Sequence, residues 1–77
     1  MTRRLPAVKP REMIRALEKA GFVVVRIKGS HHILVHKDDR SRITNVPAHG
    51  AHDLARGTLR DIIKQAGLTV DEFTALL

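Results

Sequence analysis

The chain has no cysteine, which excludes disulfides, thiolate nucleophiles and cysteine-based zinc modules and leaves its stability to packing alone. That absence agrees with a reducing compartment. Aromatic residues make up only 3% of the sequence, and the two present, Phe22 and Phe73, both fall where a core would want them. A surface that stacks unpaired bases on aromatic rings is therefore a poor expectation, and recognition through phosphate and ribose fits better. No apolar run approaches the roughly 20 residues needed to cross a bilayer. The N-terminal stretch Met1-Thr2-Arg3-Arg4-Leu5-Pro6 is basic but lacks an apolar segment and a small-residue cleavage site, so it does not read as a secretory signal. A cytoplasmic protein is expected. At 77 residues there is room for one small domain and one core, with none for a separate cofactor domain, and no cofactor is expected.

Acidic residues are also scarce. Eight Asp and Glu against fourteen Lys and Arg leave a formal net charge of +6, which attracts polyanions over about a Debye length. Nucleic acid is the leading partner; the plainer alternative is a solvated surface that is simply basic. There is no internal repeat or low-complexity linker, and residues 1–9 read as a basic, Pro-punctuated tail ahead of a single domain at 10–77. Pro10 suits a first helical turn, Met13, Ile14 and Leu17 share one face, and Gly21 can close the end, which predicts a helix over 10–20. Phe22 to Ile27 is β-branched and short, a strand; Gly29-Ser30 turns the chain; His31 to Lys37 and Arg42 to Val46 are further strands, the last stopped by Pro47. From Thr58, Leu59, Ile62, Ile63 and Ala66 line one helical face, with Thr58 and Asp61 resembling a capping box and Gly67 a stop. Thr69 and Glu72 repeat the capping signal before Val70, Phe73, Leu76 and Leu77. The expected class is α+β, of order α-β-β-β-α plus a short C-terminal helix. Its helices would share one face of a three-stranded antiparallel sheet and leave the other face open to a ligand.

The segment Lys28-Gly29-Ser30-His31-His32 concentrates the chemistry. Glycine frees the backbone, serine offers a hydroxyl, and histidine is the side chain whose reference protonation equilibrium lies nearest neutral pH. On a regular strand His31 and His32 point to opposite faces, so they do not serve the same atom. Both faces are partly apolar, and parity alone does not say which histidine faces the ligand. His49 and His52, with Asp53 beside them, form a loop pair three residues apart; as a zinc site this lacks a third ligand, and contact with RNA phosphate or solvent asks for fewer coincidences. Arg60 and Lys64, four apart on the second helix, make a basic ridge suited to a phosphate backbone.

Gly21-Phe22 followed by Arg26, the Gly29-Ser30-His31-His32 run, Val46-Pro47 with His49 shortly after, and Gly57-Thr58-Leu59 leading to Ile62, Lys64 and Ala66-Gly67 together resemble the HicA toxins. These are small messenger-RNA interferases of toxin-antitoxin systems, and the resemblance spans about residues 10 to 68. It implies a fold like a double-stranded-RNA-binding domain, ribosome-independent RNA cleavage with a single important histidine, and neutralisation by a HicB-type antitoxin. Carried over, the active histidine is the first after Gly-Ser, His31, and His32 is expected to be packed and hydrogen-bonded. The basic tail and Asn45, where a strand-favouring residue is expected, depart from the pattern. With no thiolate and no metal cage, the ribose 2′-hydroxyl can serve as nucleophile, His31 can move protons, and Arg26, Lys28 and the Gly29-Ser30 backbone can stabilise charge developing at phosphorus. Ser30 can orient a phosphate oxygen or the imidazole. The partners so implied are RNA and an antitoxin covering the His31 face, with no metal. A non-catalytic double-stranded RNA-binding module and a protein-interaction module are the alternatives, and both dispense with the imidazole.

Overall fold

The computed structural model describes residues 5–50 and 52–77; Arg3 and Arg4 of the expected tail lie outside the described residues. Its elements run α1 (Pro10–Lys19), β1 (Phe22–Lys28), β2 (His31–His36), β3 (Ile43–Pro47), α2 (Arg56–Gln65) and α3 (Val70–Leu76). The three strands form one antiparallel sheet in the order β1-β2-β3. Helix α1 begins on Pro10, whose missing N–H costs nothing in a first turn, while Glu12 accepts from the Lys9 N–H at 2.9 Å. Just past its C-cap Ala20 the chain turns at Gly21, whose φ of +100° needs a residue without a Cβ.

The apolar stripes of α1 and α2 meet one face of the sheet, and α3, packed on α1, adds to the same core. Met13 and Leu17 of α1, Leu59 and Ile62 of α2 and Phe73 of α3 close over Phe22, Leu34 and Val46, all of them buried. Each such side chain contributes about 1.5–3 kcal/mol by leaving water, which is how a chain without disulfides holds together. Arg42 ties the layers further. Its Nε donates to the Ala66 carbonyl at the end of α2 at 2.7 Å, and its guanidinium lies 5.4 Å from the Phe22 ring centre. The buried Thr44 hydroxyl donates to Gln65 Oε1 at 3.0 Å.

Three sequence expectations change. The packed chain starts before Pro10: Leu5 and Val8 are buried in the core, and the Leu54 N–H donates to the Val8 carbonyl at 2.8 Å. The basic, Pro-punctuated look of this segment hides two apolar anchors. Helix α2 starts at Arg56, after Ala55, so Thr58 lies inside the first turn and caps nothing. Finally, Pro47 belongs to β3 instead of ending before it, an edge-strand position where its missing donor is tolerated. The second capping box does form, with Thr69 N–H donating to Glu72 Oε1 at 2.8 Å and Glu72 N–H to Thr69 Oγ1 at 3.1 Å. The bonds from the Thr69 backbone and then its side chain hold the Glu72 carboxyl below its usual pKa. The cap's contribution is therefore full above the ordinary carboxylate pKa and fades as pH falls through the lowered one.

Candidate functional site

A β-bulge decides which side chains meet on the uncovered face. Val24 pairs with Leu34, but the next partner of Ile33 is Arg26, so Val25 is an extra residue in β1. Before the bulge, Phe22 and Val24 turn toward the helices. After it, Arg26 and Lys28, which simple alternation would place on that same side, lie opposite Ile33 and His31 on the open face. The bulge thus joins a core-forming half-strand to a basic half-strand. Two rows result across the open face, Arg26–Ile33–Asn45 and Lys28–His31–Pro47.

Gly29, at φ +60°, takes the first position of the two-residue turn between β1 and β2, where only glycine is unstrained. A Cβ there would meet nothing within 4 Å, so the need is conformational and not a matter of close approach. Beyond β3 the chain returns to this turn. The Ala48 N–H donates to the Ser30 carbonyl at 2.6 Å, and Gly50 bends away at φ +57°. This contact brings His49 to Ser30, whose hydroxyl lies 2.9 Å from His49 Nδ1 and 3.2 Å from its Nε2. The His49 ring stands edge-to-face to His31, with centres 5.6 Å apart. On the other side of His31, Asn45 Oδ1 is 3.2 Å from Nδ1. An acceptor there requires the proton on Nδ1, which leaves Nε2 of the neutral ring as a free lone pair. His31, Asn45 and His49 are all exposed.

The remaining histidines have other surroundings. His36 stacks edge-on against Phe22 at 5.1 Å, donates from Nε2 to the Ala20 carbonyl at 3.1 Å and accepts the Asp38 N–H on Nδ1, so both ring nitrogens are committed. His32 turns to the helix side, beside a cavity of about 400 Å³ lined by Pro10, Arg11, Ile14, Arg15 and Glu18 of α1. It is packed as expected, but its buried Nδ1 has no hydrogen-bond partner, which corrects the second half of that expectation. No three His, Asp or Glu side chains among the described residues converge as metal ligands would.

Of the residues singled out from sequence, the structure brings Lys28, Gly29, Ser30 and His31 together, with Arg26 one row away. Arg60 and Lys64 are not part of this group. They lie exposed in the helix layer, beside Leu5, Ile63 and Leu68, while His31 faces away from that layer. Two residues enter that sequence reasoning had not placed in the site. Asn45 stood out as a polar residue in a strand, and His49 followed the Val46-Pro47 pair, but only the pairing of β2 with β3 and the Ala48–Ser30 bond bring them to His31.

The arrangement presents two imidazoles, a hydroxyl, an amide and two cations on a solvent-facing sheet, a set able to move protons beside an anion. Residues 10–68 match the family model described as the HicA toxin of bacterial toxin-antitoxin systems. No curated protein matches the chain.

Proposed function

The chain belongs to the HicA toxin family, and from that premise we propose that this toxin is an endoribonuclease that cuts messenger RNA without a metal, using His31 as its proton-transfer group. The observation that carries the reading is the exposed His31 ring, held at Nδ1 by Asn45 and flanked by Lys28 on a sheet face that no helix covers. The ribose 2′-hydroxyl attacks the neighbouring phosphorus once Nε2 takes its proton. Lys28, Arg26 and the amides of the Gly29-Ser30 turn offset the negative charge that builds on the phosphorane oxygens. An RNA substrate fits the net charge of +6 and needs no aromatic platform. Messenger RNA as target places the toxin in the cytoplasm.

Purified protein incubated with single-stranded RNA in EDTA is expected to cleave it at the rate seen without chelator. Binding without cleavage would favour the non-catalytic RNA-binding reading instead. Activity lost in EDTA and restored by a divalent ion would overturn the metal-free scheme.

As a toxin of a toxin-antitoxin system, the protein has a cognate antitoxin. We propose a HicB-type partner that covers the His31 face. Acidic groups on it would match Arg26 and Lys28 and speed association, while the apolar row of exposed Val23 and Ile43 with half-buried Val35 between them offers anchors that slow release. Hydrogen exchange on the complex should show segment 28–31 protected relative to the free toxin. Protection confined to α1 and α2 would refute this placement.

A further inference from the structure

We infer that His49 is a second catalytic residue, the general acid that protonates the leaving 5′-oxygen, so that RNA cleavage here is the work of an imidazole pair. The inference rests on the endoribonuclease reading and extends it from one histidine to two. Three features carry it. The two rings lie edge-to-face with centres 5.6 Å apart on one exposed patch, close enough for a single phosphodiester to reach both. Each ring is held by a different neighbour, His31 by Asn45 and His49 by Ser30. Those neighbours differ in what they can do. With its amide oxygen turned to His31, Asn45 accepts from Nδ1–H and leaves Nε2 free to act as base; the Ser30 hydroxyl can accept from a protonated His49, which steadies the charged ring.

The step balances without a co-reactant. His31 Nε2 takes the 2′-hydroxyl proton, the 2′-oxygen forms a bond to phosphorus, and the bond from phosphorus to the 5′-oxygen breaks as His49 gives that oxygen its proton. The products are a 2′,3′-cyclic phosphate and a 5′-hydroxyl, and exchange with water returns both rings to their starting protonation states. Asn45 and Ser30 are positioning residues in this scheme. The Ala48–Ser30 backbone bond is what holds the acid against the turn that carries the base.

The test uses two forms of one short RNA, cut at the site mapped with the wild-type toxin: the natural linkage, and the same linkage with sulfur in place of the bridging 5′-oxygen. A thiolate leaves without being protonated. His49→Ala and His49→Gln are expected to cut the natural RNA about 10²–10⁴-fold more slowly, the range for one proton-transfer group, and the sulfur-bridged RNA within a few fold of wild type. His31→Ala should be slow on both. Equal losses on the two substrates would assign His49 to binding alone and overturn the pair, as would wild-type rates on the natural RNA. If wild type cuts neither RNA, the endoribonuclease reading falls and the pair with it. If His31→Ala keeps wild-type rates while His49→Ala does not, the base is misassigned and the acid stands without its partner, which also overturns the pair.

Discussion

His31→Ala is expected to abolish detectable RNA cleavage while leaving the protein folded. Removing one proton-transfer group costs on the order of 10²–10⁴ in rate. The structural cost is small, because His31 is exposed on a sheet face that no helix among the described residues covers, and its side chain bonds to an exposed Asn45. Surface replacements of this kind usually shift stability by within about 0.5 kcal/mol. His32→Ala should do the reverse. His32 fills part of the wall between β2 and α1, so its loss enlarges the neighbouring cavity and lowers stability, with cleavage per folded molecule kept. Cleavage rates read beside thermal unfolding of the two variants separate the roles. The assignment is wrong if His31→Ala still cuts RNA near the wild-type rate, or if His32 proves indispensable to the chemistry.

Phe73→Ala is expected to remove a large share of the stability of the fold. Helix α3 is only seven residues long and follows the family-matched segment 10–68, which invites the thought that it is dispensable. Phe73, however, has no exposed surface and sits in the core with Met13, Leu17 and Ile63. Helix α3 packs on α1, and the Lys19 ammonium donates to the Leu76 carbonyl at 3.1 Å. Truncating a buried Phe to Ala costs about 3–5 kcal/mol. A domain of this size has roughly 4–12 kcal/mol to lose at the usual value per residue. Chemical denaturation monitored by far-ultraviolet circular dichroism would give the loss directly. A drop below about 1 kcal/mol would mean that α3 is an ornament on a core that stands without it.

Much of this architecture was legible because local signals and burial agree. The spacing of Met13 and Leu17, the β-branched run after Gly21 and the Thr69–Glu72 box each name an element that the structure contains. Where reading failed, the deciding interactions lie far apart in sequence. Nothing local marks Leu5 and Val8 as core; they are buried because the chain before α1 runs beside Leu54. Thr58 has the right residue type for a cap, but the helix extends two residues past it toward the N-terminus. The site was half visible. Lys28, Ser30 and His31 are contiguous around one turn and could be read as a unit, whereas Asn45 and His49 arrive through strand pairing and a loop bond. Parity could not choose between His31 and His32 because both faces of β2 carry apolar residues; Leu34 is buried on one side, and Ile33 and Val35 are only partly covered on the other.

The extra residue at Val25 also separates two histories within one strand. Up to Val24, even-numbered positions answer to the core, and drift there is confined to side chains that still fit against Leu34 and His36. From Arg26 onward, even-numbered positions are exposed, so Arg26 and Lys28 can diverge with whatever they touch at little cost to folding. Descendants of such a chain could change targets, or partners, by substitutions beyond the bulge alone. Flattening the bulge with Val25 kept in the ladder would end the arrangement, because it would set Arg26 in phase with Phe22 and turn a cation toward the helices.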